Sequence, residues 1–249
     1  SLISLILFIL ASLPLKSEIY NAGVDIKTNE PMPYKISNLL FGGFLEFVTN
    51  VIDAPTGLWA QDLLDRGFDI AREDWQTSSY WQTYQEGPGE YKIQLNGGGY
   101  NSRGNYCQYI SAKNTNVGSM VGVYQNVFQN DTVGIDFYLY MRGNIKQNIN
   151  YKGLYLYVFD TTMTRLLKFY ALGSPDSTNW KKTSVKIAPT KGYTRITLLI
   201  ALQGDGWVEI DEVSCMPSDN VKGVRKEHYD LLKNWKPGVL RYPGGGFIN

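Results

Sequence analysis

Several signals that mark other classes of protein are missing from this 249-residue chain. His228 is its single histidine, so neither a multi-histidine metal centre nor a Ser–His pair is available, and we expect this side chain to pack on a helix. The 24 Lys and Arg residues balance the 23 Asp and Glu residues without any basic run, which argues against binding to nucleic acid or an anionic membrane. The glycine-rich stretch 97–104 lacks the Lys-Ser/Thr ending of a phosphate-binding loop.

Long apolar runs are also scarce, and the one at the N-terminus, SLISLILFILASLPLKS, is short for a membrane span. It resembles the hydrophobic part of a secretory signal. Because Ser1 follows neither a methionine nor a basic region, we expect residues 1–22 to be a clipped signal segment, with cleavage between Ser17 and Ala22. The sequence therefore predicts a secreted protein that has no membrane partner once the signal is removed.

Only two cysteines occur, Cys107 and Cys215. Secretion would permit a disulfide between them, and two free, buried thiols is the alternative interpretation. The triplet Asn130-Asp131-Thr132 matches a glycosylation sequon, which is a short and weak signal.

Aromatic residues, in contrast, are abundant, with 18 Tyr and 6 Trp. Exposed rings could stack on flat ligands such as sugars. The alternative is that tyrosine simply favours β-strands.

Three regions differ in their hydrophobic pattern. In residues 23–67, ISNLLFGGFLEFV predicts a strand, and a short helix is predicted over 57–68 from the spacing of Leu58, Leu63 and Leu64. Residues 68–217 show clean alternation in TVGIDFYLYMRG and further short strands in GLYLYVFD, KKTSVKIA, YTRITLLIALQ and GWVEIDEV. Such strands, separated by turns without helical segments, predict a jelly-roll β-sandwich.

The third region, residues 218–249, changes to a helical period. Five residues form one stripe of an amphipathic helix: Val224, His228, Leu231, Leu232 and Trp235. Pro237-Gly238 ends this helix, and VLRYPGG predicts a buried parallel strand. A parallel strand needs a partner, for which LLFGGFLEFV is the candidate, so the sandwich is predicted to interrupt a βαβ unit.

This arrangement places RYPGGG at the carboxyl end of a second strand, where (β/α)8 barrels carry their active sites. Fewer than two of eight barrel units fit in the chain. We therefore expect an N-terminal fragment of a longer protein.

Four segments in this order resemble the α-L-arabinofuranosidases of glycoside hydrolase family 51: NLLFGGFLEFV, GLWAQDLLDRGFD, GWVEIDEVSCMP and GVRKEHYDLLKNWKPGVLRYPGGGF. The resemblance implies a mainly β chain, in which a galactose-binding-like jelly-roll sandwich is inserted into the first βαβ unit of an incomplete (β/α)8 barrel. It also implies retaining hydrolysis of terminal α-L-arabinofuranosyl residues of hemicellulose or arabinan. The two catalytic glutamates of the family would lie beyond Asn249, so the fragment itself is expected to be inactive.

The resemblance further implies a set of substrate-binding residues at the two strand ends. Glu46 matches a glutamate that binds arabinose hydroxyls, although Phe47 replaces a polar neighbour common in the family. Gly245 would let the backbone approach the sugar, and Gly246 stands where members carry a side chain such as asparagine. Arg241 is expected to pair with buried carboxylates or carbonyls and to brace the strand end.

In the sandwich, Trp75 and Trp81 are candidates for stacking on a glycan, with core packing as the alternative. Asp211 matches a position that holds a structural Ca²⁺ in related carbohydrate-binding sandwiches, and Glu73 is a candidate second ligand. No other cofactor is expected. The predicted partner is an arabinose-containing polysaccharide.

A stand-alone carbohydrate-binding sandwich is the competing hypothesis. A binding module has no need for an amphipathic helix followed by RYPGGG, so residues 218–249 favour the enzyme.

Overall fold

The computed structural model describes residues 35, 37–40, 42–44, 57–100, 106–146 and 153–241. The described residues from Asn38 onward belong to one compact unit. Among these described residues, ten strands form a sandwich: β2 Gln82–Glu86, β3 Glu90–Gly97, β4 Tyr106–Lys113, β5 Met120–Phe128, β6 Ile135–Ile145, β7 Gly153–Phe159, β8 Leu166–Ala171, β9 Lys181–Ile187, β10 Arg195–Gln203 and β11 Gly206–Pro217. A second group contains the 3₁₀ turn Asn38–Leu40, β1 Gly42–Phe44, α1 Lys226–Trp235 and β12 Val239–Arg241.

The sandwich consists of two antiparallel five-stranded sheets. The first sheet has the order β2-β5-β10-β7-β8 and the second has the order β3-β4-β11-β6-β9. Each of the five segments that the sequence identified as strands, from TVGIDFYLYMRG to GWVEIDEV, forms a strand here. The predicted sandwich is confirmed.

The core lies between the two sheets and follows from the alternation of each strand. In β6, Ile135, Phe137, Leu139 and Met141 are all buried, while the residues between them face outward. The same core also contains Val121 and Val123 of β5, Leu154 and Leu156 of β7, Leu198 and Ile200 of β10, and Val208 and Ile210 of β11. Removing a side chain of this kind typically costs about 2–5 kcal/mol of stability.

The helix predicted over residues 57–68 does not form, and that prediction is wrong. Tertiary hydrogen bonds replace the helical ones. The Ala60 amide donates to the Gly223 carbonyl at 2.8 Å, and the Asp62 amide donates to the Cys215 carbonyl at 2.9 Å. The buried Gln61 side chain also receives the Cys215 amide at 2.8 Å, so this segment is an irregular cap on one end of the sandwich.

The beginning and end of the sandwich region lie next to each other. Trp59 forms an antiparallel bridge with Val224, and the Arg225 amide donates to the Leu58 carbonyl at 2.9 Å. The chain therefore enters and leaves this module at one place.

β1 and β12 lie side by side and run in the same direction, as predicted. Their register pairs Gly42 with Val239, Gly43 with Leu240 and Phe44 with Arg241. Between them in sequence come the whole sandwich and then α1. This is a βαβ unit interrupted by an inserted β-sandwich.

The predicted end of α1 is close to the observed one. Lys236 adopts a left-handed conformation with φ 49°, and its amide donates to the Leu232 carbonyl at 3.1 Å. Trp235 packs on β1, because a Cβ on Gly43 would lie 2.6 Å from its ring. No helix among the described residues is long and apolar enough to cross a membrane.

VLRYPGG predicts a strand that is buried in a complete barrel, and the described part of that strand is exposed in this chain. All three residues of β12 are exposed, including Val239 at 45% and Leu240 at 37%. The reason is that β12 pairs with β1 alone within the described residues. The apolar side chains of β12 are thus partly exposed to solvent.

Candidate functional site

The outer surface of the second sheet, called the polar face below, combines aromatic, amide and charged side chains. Strand alternation puts them there, since Val208 and Ile210 of β11 point into the core. The register aligns Gln94, Tyr109, Glu209 and Arg142 across β3, β4, β11 and β6. The adjacent row contains Lys92, Ser111, Trp207 and Asn144.

Two parallel rings define one end of the polar face. The Tyr109 and Trp207 ring centroids are 6.2 Å apart, and the ring planes are inclined by only 16°. They border a cavity of about 300 Å³ whose other lining residues are polar or small: Ser111, Ala112, Lys113, Asn114, Asn144, Lys146, Asp205 and Gly206. Flat apolar surfaces beside amide and charged groups match the chemistry of a sugar ring.

Glu209 fixes the polar groups at the centre of the face. It is only 6% exposed, and its Oε2 accepts a bond from Arg142 Nε at 2.5 Å. Its Oε1 accepts from Asn96 Nδ2 at 2.7 Å, and Asn96 Oδ1 in turn accepts from Gln94 Nε2 at 2.6 Å. This network orients the side chains and satisfies the buried carboxylate.

Aromatic rings continue beyond this network. The Arg142 guanidinium lies 4.8 Å from the centre of the Trp180 ring. Tyr100 stacks on Tyr140 with a centroid distance of 3.6 Å. The polar face is therefore an extended band of rings and planar polar groups.

Asp211 lies on the same side of β11 and is 1% exposed. Its Oδ2 accepts from the Tyr100 amide and its Oδ1 from the Glu212 amide, both at 2.6 Å. Burial disfavours the charged carboxylate and raises its pKa from 3.8 to about 7, although these two bonds oppose the rise. Gly99 permits the contact, since a Cβ there would lie 2.5 Å from Asp211 Oδ2.

Asp211 as a calcium ligand stays a prediction. Among the described residues, no group of three or more His, Cys, Asp and Glu side chains is arranged to hold a metal ion. Glu73, the candidate second calcium ligand, is exposed in a turn. Both carboxylate oxygens of Asp211 already accept a hydrogen bond from a backbone amide. Only their remaining lone pairs could coordinate a metal ion.

Trp75 and Trp81, the two candidates for stacking on a glycan, have different environments. Trp81 is 1% exposed, packs on Phe68 at 5.0 Å and donates from Nε1 to the Asp65 carbonyl at 3.0 Å. The prediction that Trp81 stacks on a glycan is wrong, because the ring is buried in the core. Trp75 is 50% exposed and makes an edge contact with Tyr106 at 5.3 Å, so its nomination stays a prediction.

The outer surface of the first sheet, called the apolar face below, is aromatic, and its side-chain hydrogen bonds form separate pairs, such as Tyr124 with Gln82 and Thr197 with Asn126. One row across it contains Gln82, Tyr124, Leu199, Tyr157 and Phe169. Tyr157 and Phe169 are 6.3 Å apart and nearly parallel, and burial raises the pKa of Tyr157 to about 12. Leu199 is fully covered by the flanking rings.

A buried ion pair connects the sandwich to the helix. Arg225, which immediately precedes α1, donates from Nη2 to Asp62 Oδ1 at 2.6 Å and from Nε to the Gly57 carbonyl at 3.1 Å. Asp62 is buried, and loss of hydration raises its pKa from 3.8 to about 6 despite this partner. His228 also approaches the Gly57 carbonyl at 3.1 Å, in keeping with its predicted packing role.

Cys107 and Cys215 are both buried and unbonded to each other. The disulfide interpretation is therefore wrong and that of two free thiols is confirmed. Burial raises the pKa of Cys107 to about 12, so this thiol stays protonated and unreactive at neutral pH.

Comparison with known proteins agrees with this architecture. A scan against protein-family profiles gives no match. α-L-arabinofuranosidase 2 of Arabidopsis thaliana is 22% identical over 234 residues, a match that covers 89% of this chain and 33% of the relative. α-L-arabinofuranosidase 1 of the same plant is 23% identical over 227 residues and is covered over 32% of its length.

A solved structure shows the same fold. The arabinose-bound α-L-arabinofuranosidase MgGH51 superposes with a TM-score of 0.67 at 16% identity, over 87% of this chain and 36% of its own. This chain resembles the α-L-arabinofuranosidases. It spans about a third of the length of the curated relatives it matches.

The sugar-contacting residues expected from that resemblance fall mainly outside the described residues, as Glu46, Gly245 and Gly246 all do. Arg241 is described as the last residue of β12 and is exposed there, and its role in bracing the strand end stays a prediction. The register places Arg241 beside Phe44, so the carboxyl ends of the two strands meet at one edge.

The polar face was missed by sequence reasoning. Its key residues are Tyr109, Arg142, Trp207 and Glu209, which lie in three different strands. The usable signal was the alternation of GWVEIDEV, which puts Trp207, Glu209 and Asp211 opposite Val208 and Ile210.

Proposed function

We propose that this chain is the N-terminal part of a secreted, retaining glycoside hydrolase. The parent enzyme would remove terminal α-L-arabinofuranosyl residues from hemicellulose or arabinan and so supply L-arabinose for metabolism. The observation that carries the proposal is the parallel pairing of β1 with β12 around an inserted sandwich. Similarity to α-L-arabinofuranosidases over 86–89% of the chain supports it.

The strand geometry supports the proposed substrate contacts. Parallel barrel strands deliver their active-site residues from their carboxyl ends. Glu46 follows Phe44 by two residues and Gly245 follows Arg241 by four, and these two strand ends are neighbours. In the proposal, Glu46 accepts hydrogen bonds from sugar hydroxyls, Gly245 and Gly246 allow close backbone approach, and Arg241 supports the strand end.

Retaining hydrolysis requires a nucleophile and an acid/base, two carboxyl groups about 5–5.5 Å apart. We propose that both come from strands encoded beyond Asn249. In that case residues 1–249 alone bind no substrate productively and turn over none.

Reading the transcript past Asn249 tests this proposal. We expect an Asn-Glu pair at a later strand end and a second strand-end glutamate further on. The full-length protein should hydrolyse 4-nitrophenyl α-L-arabinofuranoside with retention, whereas residues 1–249 should not. A stop codon soon after Asn249, or full turnover by residues 1–249, would overturn it.

A second candidate function, binding of polysaccharide by the sandwich, is favoured by the polar face. Tyr109 and Trp207 offer ring surfaces, while Glu209, Asn96 and Arg142 offer oriented acceptors and donors. Together they would hold a sugar by its C–H faces and its hydroxyl edges.

Affinity electrophoresis of the 249-residue chain in gels containing soluble arabinoxylan or linear arabinan tests this binding. Retardation in either gel, absent in a polysaccharide-free gel, is the expected result. Unchanged mobility at all concentrations would leave the sandwich as a structural module only.

A further inference from the structure

The turn between β5 and β6 carries the one Asn-x-Ser/Thr triplet in the sequence, Asn130-Asp131-Thr132. Three residues alone are a weak signal, but the structure adds information on their geometry. Asn130 and Thr132 are both exposed. The Val133 amide donates to the Asn130 carbonyl at 3.1 Å, which closes a tight turn at the surface.

Hydrogen bonds within the triplet orient the asparagine amide. Asn130 Oδ1 accepts from the Thr132 amide at 3.0 Å and from the Thr132 hydroxyl at 2.7 Å. All of these bonds go to the oxygen. Asn130 Nδ2 donates no hydrogen bond to any described residue, so the nitrogen is available while the oxygen is held.

The rest of the turn is fixed independently of Asn130. Asp131 Oδ2 accepts from the Gly192 amide at 3.0 Å, which ties the turn to the loop before β10. An open cavity of about 500 Å³ borders the turn and is shared with Phe128, Arg225 and His228. A bulky group on Asn130 therefore has room without displacing the core.

We propose that Asn130 is an acceptor for N-linked glycosylation. Asn130 Nδ2 attacks the anomeric carbon of an oligosaccharide carried on a lipid diphosphate. An N–C bond forms and the C–O bond to the diphosphate breaks. The lipid diphosphate leaves with the electron pair, and one amide proton passes to a base of the transferase. The site rests on the secretory route in the proposed function, because this transfer occurs in that compartment.

The attached glycan would lie away from the Tyr109–Trp207 end of the polar face. Trp207 pairs with Asn144, nine residues along β6 from Ile135, where the strand begins after the turn. At roughly 3.3 Å per residue the separation is on the order of 30 Å. Modification of Asn130 and polysaccharide binding are thus compatible.

The test is secretion of the 249-residue chain from a eukaryotic cell line, behind a cleavable signal of proven efficiency. Tandem mass spectrometry of the peptide containing residue 130 is the primary readout. We expect an attached hexosamine-based glycan, and aspartate at position 130 after treatment with an amide-cleaving N-glycosidase. Fully unmodified Asn130 in secreted protein, from cells that glycosylate a co-expressed control glycoprotein, would overturn the proposal.

Variants sharpen the assignment. N130Q and T132A should each abolish the glycan, whereas T132S should retain it because the hydroxyl remains. N126Q, a change at an exposed asparagine in β5 outside any sequon, is the matched control and should leave the glycan in place. A glycan that persists in N130Q would place the modification elsewhere. Occupancy is independent of hydrolysis and of polysaccharide binding, so its failure is distinguishable from failure of the proposed function.

Discussion

The two outer faces of the sandwich are both rich in aromatic rings but differ in what lies between those rings. On the apolar face, Tyr157 stacks on Phe169 and also packs in one cluster with the covered Leu199. On the polar face, Tyr109 and Trp207 flank a cavity beside the Glu209 network. Abundant aromatics alone therefore do not indicate a sugar site, because a sugar also needs fixed polar partners for its hydroxyls.

Changes in the shared core should affect both faces equally and strongly. W81A removes a buried ring and its bond to the Asp65 carbonyl, so we expect a loss of about 3–5 kcal/mol in the free energy of unfolding. Urea denaturation followed by tyrosine fluorescence measures this loss. W75A is the matched control, since that ring is half exposed and should cost about 1 kcal/mol or less. Equal losses in the two variants would contradict the buried position of Trp81.

The polar face should also make stability depend on pH through Asp211. Folding raises the pKa of this carboxyl from 3.8 to about 7, so the folded protein retains a proton that the unfolded chain releases. The contribution of Asp211 to the free energy of unfolding is therefore fully present below pH 3.8, and it is lost as the pH rises through 7. A shift of this size corresponds to at most about 4 kcal/mol.

Urea midpoints between pH 4 and pH 8 measure that dependence. D211N should flatten the slope, although Asp62, with a pKa of about 6, contributes a similar slope at lower pH. An unchanged slope in D211N would show that Asp211 does not titrate in this range. Added Ca²⁺ at pH 7 would stabilise the wild type and not D211N if the predicted calcium site exists.

Polysaccharide binding should distinguish the polar face from the apolar face, with a smaller change in free energy than the core substitution causes. W207A removes one of the two parallel rings, and we expect affinity for arabinoxylan to fall tenfold or more, about 1.4 kcal/mol. Affinity electrophoresis gives the dissociation constant, and the urea midpoint should change little because Trp207 lies outside the core. Wild-type affinity in W207A would remove the polar face from consideration.

The smallest effect is expected on the apolar face. F169A changes a ring that is 62% exposed, so both arabinoxylan affinity and stability should stay within about 0.5 kcal/mol of wild type. The same gels and urea titrations serve as the measurement. A tenfold loss of affinity in F169A would reverse the assignment of the two faces.

Much of the fold could be predicted because its signals are local. The alternation of Ile135, Phe137, Leu139 and Met141 required no knowledge of partners to identify β6. The parallel pairing of β1 with β12 was also predictable, since a helix is the usual connection between two parallel strands.

The errors arose where distant contacts decide the outcome. Leu58, Leu63 and Leu64 suggested a helix, but the buried Gln61 side chain bonds to β11 and holds the segment in another path. Burial of Trp81 depends on Phe68, and the polar face depends on register across several strands. Neither property is visible in a single stretch of sequence.

The bridge between Trp59 and Val224 has a consequence for the ancestry of the molecule. Because entry and exit adjoin, an excised module could be replaced by a few residues at little entropic cost. The sandwich of some 160 residues joins two adjacent points of the chain, as a short hairpin between β1 and α1 would. Gain or loss of such a module during evolution would need no redesign of its host.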